Sequence, residues 1–270
     1  MDLRPTPELD TIVLVHGLWM TSLSWENWIK HYEGLGFTTV APTWPGFSDD
    51  IAALRRDPSA MEGLGFSEVV DHYERIIRAL PKPPLIIGHS FGGGVAQVLL
   101  DRGLGAAGVA VNSGPVKGVY GLPLSALRSV IPVLANPLNV KKAVPLTPRQ
   151  FHYAITNELD ERASREVYDR YHVPGAARVL FQGALANFRP GGPTKVDFHK
   201  RDRAPLLLIA GGADHIVPAS MNRENYRRYR SGRVDYREFP GRTHHTVGQK
   251  GWEEVATYAL KWALDVTRKA

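Results

Sequence analysis

The chain has 270 residues, of which 43% are hydrophobic and 22% are charged, so it can bury the core of an ordinary globular protein. It has no cysteine, which excludes disulfides and thiolate chemistry, and its apolar runs are too short to cross a bilayer. The net charge of +6 comes from scattered basic residues without a recognition motif, which argues against a nucleic-acid partner.

Short apolar runs alternate with longer amphipathic segments along most of the chain. The runs are Ile12–Val15, Thr38–Ala41, Leu85–Ile87, Gly108–Val111, Leu206–Ile209 and Val234–Phe239. Helical patterns lie between several of them, with apolar faces at 69–80 and 252–263. This alternation predicts an α/β fold with a mostly parallel sheet covered by helices on both faces.

The alternation stops between about Gly118 and Val196. Prolines interrupt the helical patterns there, a Pro-Gly loop follows at 189–193, and no convincing buried strand is found. An excursion of this length is more than a loop. We therefore predict a core formed by residues 1–117 and 197–270, with a mostly helical insertion at 118–196.

One serine lies between glycines where an apolar strand meets an apolar helix, in Gly88-His89-Ser90-Phe91-Gly92. A Gly-x-Ser-x-Gly turn in this context is typical of a nucleophile elbow. The glycines relieve the crowding that β-carbons would cause, and the helix directs free N–H groups at developing negative charge. The alternative interpretation is a glycine-rich turn with an incidental serine.

A nucleophilic serine needs a base, and the base needs a carboxylate to orient it. Asp214 follows the glycines that end an apolar run, and the pair His244-His245 follows a strand and a Pro-Gly turn. Both positions lie beyond strand ends, where open parallel sheets carry their sites. Asp214 could instead cap a helix or turn. The histidines could lie on a surface loop, and no His-Glu-x-x-His spacing supports a metal site.

The oxyanion hole is predicted from two backbone N–H groups. One belongs to Phe91, which follows the serine. The other is assigned to Leu18 in the stretch His16-Gly17-Leu18 after the first strand, where Gly17 lets the backbone bend over the pocket. The Leu18 side chain can equally be a core leucine, because only its backbone would be used.

Together these motifs resemble the α/β-hydrolase superfamily, in its cap-bearing serine hydrolase branch. The matching segments, in the order of that family, are His16-Gly17-Leu18, Pro45-Gly46-Phe47, Gly88–Gly93, Gly211–Asp214 and Pro240–His244. The resemblance implies that the insertion at 118–196 is a cap. Only about ten residues precede the first strand, which suggests a minimal core of about six strands, as in the plant methylesterase and hydroxynitrile lyase branch.

The resemblance also implies a catalytic set of Ser90, Asp214 and His244. In this family the base typically ends a Gly-x-x-His pattern, which Gly241–His244 matches, and His245 is one residue too late. Adjacent side chains in an extended loop point in opposite directions, so His245 is expected to face the cap or solvent.

The substrate is expected to be a small or medium hydrophobic ester or lactone, cleaved through an acyl-enzyme without cofactor or metal. Candidate pocket residues are Trp19, Met20, Phe151 and Phe181, although most such side chains belong to the core. Perhydrolase, haloperoxidase and hydroxynitrile lyase chemistry use the same triad and stay open, as does a ligand receptor or scaffold.

For partners and location, we expect a small hydrophobic substrate, no nucleic acid, no membrane and a cytoplasmic protein, because the amino-terminal residues show no signal-peptide core. The sequence does not predict the oligomeric state.

Overall fold

The computed structural model describes residues 2–268 and is built around a six-stranded sheet in which every pairing is parallel. The strands are β1 (Thr11–Val15), β2 (Thr38–Val40), β3 (Leu85–His89), β4 (Ala107–Val111), β5 (Ala143–Val144), β6 (Gly175–Ala176), β7 (Leu206–Gly211) and β8 (Val234–Phe239). The large sheet has the order β2-β1-β3-β4-β7-β8, and β5 pairs with β6 alone.

Ten helices accompany the strands in the described chain. They are α1 (Glu26–Gly34), α2 (Ile51–Arg56), α3 (Phe66–Arg78), α4 (Phe91–Asp101), α5 (Leu124–Leu134), α6 (Pro148–Ile155), α7 (Glu161–Tyr171), α8 (Ala177–Ala184), α9 (Ala219–Arg228) and α10 (Trp252–Thr267).

The four central strands, β1, β3, β4 and β7, are buried along their whole length. Side chains alternate between the two faces of a strand. Ile12 and Leu14 therefore join the apolar cluster with α1 and α10, whereas Val13 and Val15 join the cluster with α3 and α4. Burial on both faces explains why these strands are continuous apolar runs in the sequence.

The six predicted strands are confirmed, with small differences at their ends. The β3 strand continues from Ile87 to His89 and β7 continues from Ile209 to Gly211. Gly88 and Gly211 end the apolar runs in the sequence, yet their backbones remain paired, to Val15 and Phe239. Because backbone pairing does not need a side chain, the strand pairing continues beyond the last apolar residue of each run.

Residues 118–196, here called the insert, contain α5 to α8 between β4 and β7. The prediction that no buried strand occurs there is wrong for β6, since Gly175 and Ala176 are buried and pair antiparallel with β5. Two residues are too few to produce a periodic pattern. The function of the insert as a cap stays a prediction. Within residues 2–268, no helix is both long enough and apolar enough to cross a membrane.

Candidate active site

Ser90 occupies the sharp turn between β3 and α4, with φ of 56° and ψ of −126°. A positive φ is strained for any residue other than glycine. The turn is held in place because the Ser90 N–H donates to the Val111 carbonyl (3.0 Å) and the Ser90 carbonyl accepts from the Gly114 N–H (2.8 Å). A β-carbon at Gly88 would lie 2.0 Å from the Gly92 carbonyl oxygen, so the chain can make this turn only without a side chain there.

Asp214 and His244 form a buried hydrogen-bonded pair. The His244 Nδ1–H donates to Asp214 Oδ2 at 2.7 Å, and Asp214 Oδ1 accepts from the N–H groups of Ile216 (2.9 Å) and Val217 (2.8 Å). Both carboxylate oxygens are therefore occupied, which fixes the orientation of the carboxylate. With its proton on Nδ1, the neutral imidazole has Nε2 available as a proton acceptor.

The loop that carries His244 is hydrogen-bonded to the turn of Ser90. His89, which directly precedes Ser90, donates from Nε2 to the His244 carbonyl at 2.8 Å, and the two rings lie 4.7 Å apart. His245 points to the insert instead, because its N–H donates to the Ile155 carbonyl at 3.0 Å and its ring packs near that of Tyr171. Of the two adjacent histidines, the one paired with Asp214 is His244.

Two backbone N–H groups near Ser90 lack an acceptor in the described chain. They belong to Leu18 and Phe91, the latter being the first residue of α4. Gly17 brings the Leu18 loop close to the serine, since a β-carbon at Gly17 would lie 2.7 Å from Ser90 Cβ. The predicted oxyanion hole requires two such backbone donors close to the serine.

Ser90 opens into a narrow apolar cavity of about 70 Å³. At the density of the liquid, that volume would hold about two water molecules. The insert supplies one wall, with Leu122, Ala126, Val130, Leu180, Gly183 and Ala184, and the core supplies the other, including Trp19, Phe91, Ile216, Val217 and Met221. The lining contains no charged side chain, so this cavity favours an apolar group.

Comparison with known proteins identifies the family. The model of the alpha/beta hydrolase family matches residues 12–257, which include all of the large sheet except the first residue of β1. The chain belongs to the alpha/beta hydrolase family. No functionally curated protein matches its sequence.

Solved structures share the fold of this alpha/beta hydrolase at low sequence identity. They include a monoacylglycerol lipase from Paleococcus ferrophilus (20% identity, 97% of this chain and 96% of that chain, TM-score 0.64). A pyrethroid hydrolase from Sphingobium faniae JZ-2 has 13% identity, with 94% and 97% covered and a TM-score of 0.68. A methylesterase from Arabidopsis has 11% identity, with 93% and 98% covered and a TM-score of 0.66.

The four predicted pocket residues differ in their position relative to this cavity. Trp19 lines the cavity, whereas Met20, Phe151 and Phe181 do not. Met20 and Phe151 are fully buried, and Phe151 packs inside the insert against the ring of Tyr168 at 5.3 Å. Phe181 is partly buried against the same apolar core. These three side chains fill the interior of the alpha/beta hydrolase and do not form the cavity wall.

Sequence reasoning missed Asn112, the buried residue directly after β4. Its side-chain oxygen accepts from the Gly211 N–H at 2.7 Å, and its Nδ2 donates to the Thr243 carbonyl and to Thr246 Oγ1, both at 3.0 Å. One amide thus connects the strand that precedes Asp214 with the loop that carries His244. Its φ of 45° is a conformation that asparagine tolerates well. In the sequence, the feature that points to this residue is an asparagine directly after an apolar run.

Asn112→Ala is expected to lower kcat about 10- to 100-fold with little change in KM, because it removes the hydrogen bonds that position the segments of Asp214 and His244 without touching the cavity. Asn112→Asp keeps the acceptor for Gly211 and the preference for positive φ but loses the donor, so it should recover part of kcat. Steady-state kinetics of both variants tests this. If both variants lost kcat and stability to the same extent, the positioning role would be contradicted. A change in KM alone would also contradict it.

Four buried histidines make the stability of this alpha/beta hydrolase depend on pH. Burial lowers the pKa of His16 and of His245 to about 4 and that of His172 to about 3. Burial also holds the pKa of His89 well below its usual range. Their folded pKa values lie below the unfolded value near 6.5, so the unfolded chain takes up protons first as the pH falls.

The free energy of unfolding should therefore fall as the pH drops below about 6.5, by up to roughly 1.4 kcal/mol per pH unit for each such histidine. Urea unfolding between about pH 7.5 and about pH 5 measures the slope. His172→Gln should flatten it, and the matched change at an exposed position, His199→Gln, should not. A free energy independent of pH in this window would contradict the prediction.

Proposed function

We propose that the chain is a serine hydrolase that cleaves a small or medium hydrophobic ester or lactone through Ser90, His244 and Asp214. The observation that carries this proposal is the buried 2.7 Å hydrogen bond from His244 Nδ1 to Asp214 Oδ2, on a loop fastened to the turn of Ser90. The strained φ of Ser90 supports it, because such strain persists where function needs it.

In the proposed reaction, Ser90 Oγ attacks the carbonyl carbon of the ester while His244 Nε2 takes up the hydroxyl proton. Asp214 stabilises the imidazolium, and the N–H groups of Leu18 and Phe91 donate to the oxyanion. Loss of one such donor typically costs about 3–4 kcal/mol of barrier. His244 then gives the proton to the leaving alcohol, which leaves an acyl group on Ser90. Water, activated by His244, releases the acid and regenerates the serine.

The cavity supports a hydrophobic substrate with a short acyl group. Its lining is apolar and its volume is small, and each buried CH₂ contributes about 0.8 kcal/mol to binding only while space remains. The similar structures are named as a lipase, a pyrethroid hydrolase and a methylesterase, which supports ester substrates. The proposal requires no cofactor or metal.

The proposal is tested with a series of p-nitrophenyl esters from acetate to laurate. We expect turnover that is highest for short acyl chains and absent in Ser90→Ala, with the exposed-serine variant Ser59→Ala as the matched control. Peracid formation and cyanohydrin cleavage by the same proteins are measured in parallel with ester turnover. Ester turnover that survives unchanged in Ser90→Ala would refute the proposal, and cyanohydrin cleavage far above ester turnover would replace hydrolysis by lyase chemistry.

Acyl preference should respond to the cavity wall and not to the interior of the insert. Leu180→Ala enlarges the cavity, so kcat/KM is expected to shift toward longer acyl chains. Phe151 is buried outside the cavity. Phe151→Ala should therefore leave the acyl-chain preference unchanged but lower the free energy of unfolding by about 3–5 kcal/mol. The ester series and urea unfolding measure both effects. A shifted preference in Phe151→Ala with unchanged stability would contradict the assignment of the wall.

A further inference from the structure

The insert exposes large apolar side chains of a kind that the core buries. Of the eight exposed large hydrophobic residues in the described chain, seven belong to the insert, and two of them, Leu124 and Phe188, are more than four-fifths exposed. The seven, here called the apolar rim, are Tyr120, Leu122, Leu124, Ile131, Leu138, Leu185 and Phe188. Single exposed apolar residues are ordinary, but a concentration of this kind indicates an interaction surface.

Helix geometry and hydrogen bonds place members of the rim near one another. Leu124 and Ile131 are seven residues apart on the outer side of α5, and Leu138 follows after seven more, in the 3-10 turn after this helix. Leu185 and Phe188 follow α8, which packs against α5. Asn187 accepts from the Gly118 N–H at 2.7 Å, which fixes the neighbouring Phe188 beside the segment that leads to Tyr120.

The rim lies on the outer side of the helices that line the catalytic cavity. Leu122 belongs to both the rim and the cavity wall. The inner side of α5 contributes Ala126 and Val130 to the cavity, and the last residues of α8 contribute Gly183 and Ala184. A molecule that contacts the rim is therefore separated from the cavity of Ser90 by a single layer of helix.

The sequence around the first five residues of the rim, from Tyr120 to Leu138, is basic and free of carboxylates. From residue 103 to residue 157 the chain contains no Asp or Glu. Its cations in that stretch are Lys117, Arg128, Lys141, Lys142 and Arg149. A carboxylate from outside the stretch, Glu224, accepts from the Tyr120 N–H but is paired with Arg228, so it adds no net charge.

We propose that the apolar rim and its basic neighbours dock on the surface of an anionic lipid bilayer. Apolar side chains that flank cations enter the boundary between headgroups and acyl chains, while the cations meet the anionic headgroups. This contact is peripheral and requires no spanning helix. This proposal differs from the prediction, made from the sequence, that the protein has no membrane partner. Docking on a bilayer would deliver amphiphilic esters to the cavity of the proposed hydrolase.

Charge decides between a lipid surface and a second copy of the chain. A twofold contact through the rim would place the same basic surface on both partners, so Lys141 and Lys142 would face like charges. An anionic bilayer instead attracts each exposed cation near its surface. The combination of exposed apolar side chains with Lys141 and Lys142, which form no ion pair within residues 2–268, therefore favours the bilayer.

The test is flotation of the full-length Ser90→Ala variant with vesicles of phosphatidylcholine alone or mixed with phosphatidylglycerol. This variant cannot hydrolyse lipid by the proposed mechanism, so binding is measured independently of the proposed activity. We expect binding to the anionic vesicles that weakens with salt, and little binding to the neutral ones. Adding Lys141→Gln/Lys142→Gln should lower the affinity at least about tenfold.

The matched control removes two exposed cations from the core, with Arg75→Gln/Arg227→Gln, and should retain the affinity. Leu124→Ser/Phe188→Ser should also reduce binding, and the lysine pair keeps the test decisive if this apolar variant does not fold. Absence of binding to anionic vesicles, or equal weakening by the core control, would overturn the proposal. A dimer in sedimentation that Leu124→Ser/Phe188→Ser dissociates, without vesicle binding, would assign the rim to a second copy.

Discussion

His244→Ala is expected to lower kcat by at least about three orders of magnitude with little change in KM. The ring of His244 is held by Asp214 at 2.7 Å, and its backbone is held by His89 at 2.8 Å, so removal of the ring deletes the proposed proton acceptor without moving the cavity wall. Steady-state kinetics on a short-chain p-nitrophenyl ester measures the loss.

His245→Ala is the matched control, because the residue is adjacent and equally buried. It should change kcat by no more than about tenfold, although the lost packing against the insert lowers the melting temperature. A larger loss of kcat in His245→Ala than in His244→Ala would move the base to His245 and contradict the assignment.

Asp214→Asn is expected to lower kcat about 10³- to 10⁴-fold while the chain stays folded. The carboxylate accepts on both sides, from His244 on one oxygen and from the N–H groups of Ile216 and Val217 on the other. An amide has one accepting and one donating side. Either His244 is then forced into the wrong tautomer, or two backbone donors lose their acceptor.

The control for this variant is Asp160→Asn at the N-cap of α7, where the oxygen accepts from the Ala163 N–H at 2.8 Å. Asparagine caps a helix as well as aspartate does, so this change should leave kcat and stability nearly unaffected. If Asp214→Asn retained full activity, the carboxylate would have a role in loop structure only.

The four central strands of the large sheet were predictable because parallel strands that are buried on both faces are continuous apolar runs in the sequence. The positions of Ser90, Asp214 and His244 followed from the same sheet, since each lies just beyond a strand end. The structure adds that the three non-glycine residues with positive φ in the described chain, Trp19, Ser90 and Asn112, all lie at this edge. A serine or a tryptophan with positive φ cannot be recognised from the sequence, because neither residue type favours that conformation.

The pocket residues could not be predicted in the same way. An apolar side chain in the insert can face the interior or the cavity, and its hydrophobicity is the same in both cases. Phe151 is buried in the interior, whereas Leu180 and the small residues Gly183 and Ala184 line the cavity. Which side faces Ser90 depends on how the helices pack, and local patterns do not encode that.

The measurement that tests the central claim most directly is covalent labelling with a fluorophosphonate, followed by mass spectrometry of the peptides. A serine activated by His244 and Asp214 should acquire a single adduct on the peptide that contains Ser90, and both labelling and ester hydrolysis should vanish in Ser90→Ala. An adduct on a different serine, together with full activity of Ser90→Ala, would contradict the account.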